Sequence, residues 1–282
     1  MKKIFRNVLT ATIASSLLLA TACGSSSAET EAPATDDTAN AETTKLVVGA
    51  TAVPHAEILN LVKEDLLAEG IELEVTEFTD YALLNPSTTD GSLDANFFQH
   101  TPFLDNFNAN SDSKLVSVGP IHIEPLAVYS EKITSLDELK DGDKISIPND
   151  DTNEARALLL LEDNGIIKVK DRNAAAITPI DIVENPLNIE FVELDSAQLP
   201  RTINEVAVSV INTNFALTAG YNPIDNSIVM EDGANSPYAN ILVVKEGREN
   251  EEAIQKLYAA LTSEKVKTFI EANYEGAVIP AF

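Results

Sequence analysis

The sequence predicts an α/β fold built on mostly parallel sheet, on three observations. Residues 45–78 read strand, helix, strand. A second helix, at 152–164, follows directly on a short strand. Val206 to Ile211 is an apolar run interrupted only by the small Ser209, as expected for a strand buried on both faces. A strand–helix–strand start of this kind makes neighbouring strands parallel.

The elements follow in order. Residues 45–50 (KLVVGA) form a buried strand ending in a small-residue turn. Pro54 then opens a helix whose buried side carries Ile58, Leu59, Leu61, Val62, Leu66 and Leu67, and Gly70 closes it. Residues 71–78 (IELEVTEF) alternate apolar and polar and form a second strand. Ser135-Leu136-Asp137-Glu138 is a capping box for a short helix. Ile145-Ser146-Ile147 is a short strand that Pro148 ends, and the helix from Thr152 to Asn164 stops at Gly165. A strand at 189–193, the central strand at 206–211 and a helical tail at 249–274 complete the pattern.

The chain ahead of Lys45 is of another kind. Lys2, Lys3 and Arg6 precede an apolar run from Val8 to Ala22, which is the layout of a secretory leader and is shorter than the roughly 20 apolar residues of a transmembrane helix. Cys23, the only cysteine, stands at its end, where a lipoprotein is cut and acylated. The position three residues before it, usually Leu, is Ala20. The plainer reading is ordinary secretion with an idle thiol. Residues 24–44 (GSSSAETEAPATDDTANAETT) hold no aromatic, large aliphatic or basic side chain, so they form an acidic tether with a reach of about 25 Å.

Net charge is −26, which repels nucleic acid and anionic lipid and excludes a DNA-binding role. Its plain purpose is solubility. No nucleophile elbow, phosphate loop or catalytic carboxylate pair is visible, so the chain does not read as an enzyme, and no cofactor is called for.

Three places carry candidate binding chemistry. At the start of the helix after Ile147, Asn153 and Arg156 share one face of the first turn, where free backbone N–H groups and an Arg fork suit a carboxylate. The bland alternative pairs Arg156 with Asp150, Asp151 or Glu154. Tyr81, Phe97, Phe98, His100, Phe103 and Phe107 are concentrated in a chain without Trp. They suit a core, or, in a loop-like polar context, a pocket for an apolar side chain such as a thioether. Asn212 and Asn214 follow the central strand, where α/β sheets place ligands, although a turn asparagine reads the same way.

These residues fall in stretches that resemble the NlpA/MetQ family of lipoproteins, the methionine-binding components of ABC importers. The stretches include FTDY (78–81), DANFFQHTPFLDNF (94–107), IHIEPLAVYS (121–130), IPNDDTNEARALLLLEDNGII (147–167), FVELDSAQLPR (191–201), VINTNFAL (210–217) and MEDGANSPYANILVV (230–244). They span nearly all of the chain after the tether. The resemblance implies a two-lobed periplasmic-binding-protein fold, type II-like, with each lobe a mostly parallel sheet flanked by helices. Residues 1–22 would be the signal peptide and 23–44 the lipidated Cys23 and tether. Residues 45–128 plus 238–282 would form one lobe and 129–237 the other, with crossings near Tyr129 and Pro237.

Carried over by position, the resemblance gives the amino-acid backbone of the ligand to Asn153, Arg156 and Asn212. It gives the ligand side chain to Tyr81, Phe98, His100 and Phe103. Asn214 is a further candidate at a position where the family varies. The implied partners are methionine or a related amino acid, an ABC permease with its ATPase, and the membrane through the lipid anchor on its extracytoplasmic face, with the protein a monomer. Three departures touch the family pattern: Leu84-Asn85-Pro86, Phe103 where Tyr is common, and Val206-Ala207. The first two lie at the pocket rim and leave open a methionine-containing dipeptide or another small amino acid. Two rival readings belong to other classes: a metal-binding lipoprotein using His55, His100, His122 and a carboxylate, and a surface adhesin.

Overall fold

In the computed structural model, residues 43–174, 176–234 and 236–282 are described. The leader, Cys23 and the tether as far as residue 42 lie outside the described residues. The strands, in chain order, are β1 (Thr44–Thr51), β2 (Ile71–Phe78), β3 (Ala95–His100), β4 (Leu115–Ile123), β5 (Ala127–Tyr129), β6 (Lys144–Pro148), β7 (Lys168–Val169), β8 (Ile182–Glu184), β9 (Glu190–Leu194), β10 (Val208–Ile211), β11 (Ser227–Met230), β12 (Ala239–Lys245) and β13 (Ile279–Pro280). The helices are α1 (Glu57–Leu61), α2 (Lys63–Ala68), α3 (Leu84–Asp90), α4 (Thr101–Ala109), α5 (Asp151–Asp163), α6 (Thr213–Thr218), α7 (Pro223–Asn226), α8 (Glu252–Leu261) and α9 (Glu264–Tyr274).

Two sheets carry the fold. One runs β13-β4-β12-β3-β1-β2 and the other β11-β5-β10-β6-β9. The expected parallel pairing holds at the heart of each: β1 lies parallel to β2 and β3, and β6 lies parallel to β9 and β10. Antiparallel strands complete both sheets, β12, β4 and β13 in the first and β5 and β11 in the second. The sheets are therefore mixed, not mostly parallel. The cause is the returning chain, which supplies β12 after the second sheet is finished and enters the first from the opposite direction.

Each sheet has its own apolar core. Leu46, Val48, Ile58, Leu59, Leu66, Leu257 and Ile270 lie in the first, where α1, α2, α8 and α9 cover one face. Ile145, Ile147, Leu158, Leu161, Val208 and Val210 lie in the second, under α5. Both helix stops read from sequence hold: Gly70 and Gly165 adopt φ of +80° and +74°, which a Cβ disfavours. The tail forms two helices, α8 and α9, because the Ser263 side chain accepts the Val266 N–H and starts a new one.

Two other expectations change. Residues 94–103, read as loop-like, are β3 and the first turn of α4, and β3 is buried along its whole length. The stretch is rich in Asn, Gln and His, but Asn96 and Gln99 satisfy each other within a buried network with Asn85 and Thr88, so polarity there does not mean solvent. Tyr129, the expected first crossing, lies at the end of β5. The chain passes between sheets at Glu124–Leu126, and Pro237 falls within the return between β11 and β12.

Candidate functional site

The carboxyl ends of β3, β4 and β10 and the N-terminus of α5 converge on one cavity, as the topology of an open α/β sheet favours. The space between its walls, counted with the solvent it opens to, is about 330 Å³. Its wall is Tyr81, Phe98, Gln99, His100, Phe103, Glu124, Asn153, Arg156, Asn212, Thr213, Asn214 and Asn240. The eight residues that the family resemblance offers to the ligand all line it.

The aromatic group divides. Tyr81, Phe98 and Phe103 meet with ring centroids 5.4, 5.6 and 5.8 Å apart and form one wall. Phe97, pointing the other way from β3, is fully buried in the first core, and Phe107 packs beside Leu104 and Leu115. Strand alternation separates Phe97 from Phe98, whereas Phe103 and Phe107 sit on α4.

Asn153 is a structural hub. Its Nδ2 and backbone N–H donate to Asp150, the N-cap of α5. Its Oδ1 accepts from Asn212 Nδ2 at 2.9 Å and His100 Nε2 at 3.2 Å. The His100 tautomer follows: Nδ1 accepts the Phe103 N–H, so Nε2 carries the proton. Burial holds His100 neutral, its pKa lowered to about 3, with the nearby Arg156 charge acting in the same direction. The sequence reading gave His100 to the ligand side chain and Asn153 to the ligand backbone. The structure ties the two to each other.

What remains unpaired is informative. Asn212 Oδ1 and Asn214 Nδ2 are buried without a hydrogen-bond partner among the described residues. Asn214 Oδ1 is taken by the Tyr81 hydroxyl at 2.7 Å. One free acceptor and one free donor therefore face the cavity, and a buried polar atom of this kind is costly until a partner arrives.

Arg156 does not pair with Asp150, Asp151 or Glu154. Its Nε and Nη2 bind Glu231 at 2.8 and 2.6 Å, Nη2 also donates to the Glu124 carbonyl at 2.8 Å, and the guanidinium lies 4.2 Å from the centre of the Tyr238 ring. Nη1 makes no hydrogen bond among the described residues and is the donor left for the cavity.

Sequence reasoning missed Glu124, whose signal was present: an acid inside the apolar stretch 121–129. It is 5% exposed, and burial raises its pKa while His55 and Arg156 oppose that shift. Its Oε1 lies 2.6 Å from His122 Nε2 and 3.2 Å from His55 Nε2. Of the three histidines of the metal reading, only these two come together. Their donor atoms and that of Glu124 lie within 4.8 Å of one another. The 2.6 Å contact is that of a hydrogen bond, whereas donors on a tetrahedral zinc stand roughly 3.3 Å apart for bonds of about 2.0–2.1 Å. A cation there would first have to spread the group.

The NlpA lipoprotein family model matches residues 46–282. The chain belongs to that family. It is 42% identical to the D-methionine-binding lipoprotein MetQ of Salmonella typhi over 212 residues, 74% of this chain and 78% of that protein. It superposes on the crystal structure of a lipoprotein from Ruminococcus gnavus with a TM-score of 0.82 at 49% identity, covering 85% of this chain and all of the other. A nutrient-binding protein from Burkholderia cenocepacia, solved bound to methionine, matches with a TM-score of 0.82 at 40% identity, covering 84% of this chain and all of the other. In a member of this family the cavity is a candidate ligand site, not a catalytic centre.

Proposed function

We propose that this chain is the extracytoplasmic binding component of an ABC importer, that it carries methionine or a closely related amino acid in this cavity, and that Cys23 anchors it to the membrane by lipid. The observation that carries the ligand reading is the set of unmatched polar groups beside an aromatic wall. Arg156 Nη1 and Asn214 Nδ2 offer donors to a carboxylate, while Asn212 Oδ1 and Glu124 offer acceptors to an ammonium. Tyr81, Phe98 and Phe103 would take the apolar side chain, where a thioether gains about 0.3–1.5 kcal/mol from a good ring contact.

The two sheets would act as lobes, 45–128 plus 238–282 and 129–237, that close by bending at the two crossings. Closure follows from contacts made only when the lobes meet, such as His100 with Asn153 and Tyr81 with Asn214. A permease with its ATPase would receive the loaded monomer. The test is mass spectrometry of small molecules released when purified protein is denatured. It is joined to a thermal-shift panel of amino acids, methionine dipeptides and divalent metals, in which a ligand at 100 times its Kd adds about 2.7 kcal/mol. Release of methionine and a shift with it support the reading; a shift with metals alone overturns it.

A further inference from the structure

We infer that His55 and His122 are positioning residues that hold Glu124 as an anion, through neutral donors, for the ammonium group of the ligand. The inference rests on the amino-acid reading above and names what fixes one pole of that site.

The geometry is specific. Both imidazoles bind Glu124 through the same oxygen, Oε1, at 3.2 and 2.6 Å, and Glu124 lines the cavity. The rings of His55 and His122 stand 5.0 Å apart, each edge-on to Phe97 at 4.7 and 5.2 Å, and both residues are fully buried. Neither ring reaches solvent or the cavity wall, so neither can serve the ligand directly.

The tautomers follow from the partners. His55 Nε2 faces two acceptors, Glu124 Oε1 and Asn240 Oδ1, while the Thr51 hydroxyl lies 2.8 Å from Nδ1. Nε2 must carry the hydrogen, and Nδ1 accepts from Thr51. His122 Nε2 faces the carboxylate, and its Nδ1 is buried without a partner among the described residues. A bare lone pair is tolerated there better than a bare N–H, which again places the hydrogen on Nε2. Burial keeps both rings neutral, with pKa values lowered to about 4 and about 3.

Neutral donors suit this task better than a cation. A Lys or Arg on Glu124 would stabilise the buried carboxylate but cancel its charge and compete with an incoming ammonium. Two imidazole N–H groups offset desolvation and leave the charge in place. The other pole is built the opposite way: the charge of Arg156 is already matched by Glu231, so Arg156 offers the ligand a directed donor more than a free charge. The ammonium therefore meets the less compensated pole.

The test compares methionine with its des-amino analogue by isothermal titration on the full chain. Parent protein that fails to prefer methionine over the analogue refutes the amino-acid reading itself. Given that preference, His122→Leu should weaken methionine by roughly ten-fold or more and the des-amino analogue by no more than about two-fold. His122→Gln, which keeps an N–H near the Nε2 position, should recover most of the loss. A purely structural role would weaken both ligands alike, and that result, or no effect on either, overturns the inference. A readout independent of any variant is heteronuclear NMR of the imidazole nitrogens in the parent: His55 and His122 should both be neutral with the hydrogen on Nε2 at neutral pH. A hydrogen on Nδ1 of either ring also overturns it.

Discussion

Arg156, in the first turn of α5, is held two-pronged by Glu231, a residue 75 positions further along the chain in the segment that returns to the first sheet. Glu231 Oε2 also accepts the Leu126 N–H at 2.8 Å, in the segment that leaves that sheet. One carboxylate thus ties the candidate carboxylate-binding arginine to both crossings. Lys cannot reproduce this, because a single ammonium cannot form the fork to Glu231 and still present a fixed donor to the cavity. Arg156→Lys should therefore weaken methionine nearly as much as Arg156→Ala, by about 2–4 kcal/mol in isothermal titration. A lysine variant with parent-like affinity would mean that only the charge matters. Glu231→Ala should cost stability of about 2–3 kcal/mol, below the roughly 3–5 of a wholly buried pair because the Glu231 side chain keeps 16% exposure.

Asn214 offers a cleaner probe of the carboxylate pole. Asn214→Asp keeps the shape and can still accept from the Tyr81 hydroxyl, but it replaces the unpaired donor with an anion. It should weaken methionine by roughly ten- to a hundred-fold, with Tm lowered because the new carboxylate is buried. Unchanged affinity would remove Asn214 from the site.

The split between backbone and side-chain recognition is open to the same measurement. Asn212→Ala should weaken methionine, alanine and serine by similar factors, because all share the ammonium that Asn212 Oδ1 is free to meet. Phe98→Ala should penalise methionine most, since only a long thioether reaches the ring wall, by about 1–2 kcal/mol. Equal loss of all ligands in Phe98→Ala would return that ring to a purely packing role.

Much of this arrangement was legible in the chain. The strand–helix–strand start, the helix N-terminus at Asp150 and the end of the central strand at Asn212 are local patterns, and each places a site residue. What was not legible is non-local. Nothing near Glu231 announces Arg156, because the pair closes only when the return segment packs against α5. The strand at 95–100 was hidden because its Asn and Gln side chains are satisfied by α3 and its His by Asn153 of α5 and the Phe103 N–H, which no periodicity records. His55 and His122 lie in stretches far apart in sequence, and only the pairing of β4 with β12 beside the turn after β1 brings them to one carboxylate oxygen.

The lipid anchor is testable apart from the ligand. The tether after Cys23 has no aromatic or large aliphatic side chain to hold it to a bilayer. Cys23→Ala should therefore move the protein from the membrane fraction to the soluble fraction on cell fractionation, with binding by the soluble form unchanged. Membrane retention equal to that of the parent would refute acylation at Cys23.

Stability should peak near neutral pH, with opposite causes on the two sides. Burial lowers the pKa of His55 to about 4 and of His100 and His122 to about 3, against about 6.5 in the unfolded chain. The unfolded chain then binds protons that the folded one refuses, so stability present above pH 6.5 is lost as pH falls, by about 1.4 kcal/mol per pH unit for each histidine. Glu154 acts the other way. Burial, with Glu193 beside it, raises its pKa to about 8, so the folded state keeps a proton that the unfolded state releases. Its contribution is present below the ordinary carboxylate range and is lost as pH rises towards 8, and Glu124, also raised by burial, has the same sign. Between pH 6.5 and 4.5 the three histidines outnumber the two acids, so Tm should fall. From pH 6.5 to 8 only Glu154 acts, and Tm should fall again. Glu154→Gln, which cannot ionise, should reduce the decline on the alkaline side and steepen the one between pH 6.5 and 4.5, where Glu154 offsets part of the histidine loss, in differential scanning calorimetry. An alkaline limb as steep as that of the parent would show that Glu154 is already ionised in the folded protein at neutral pH.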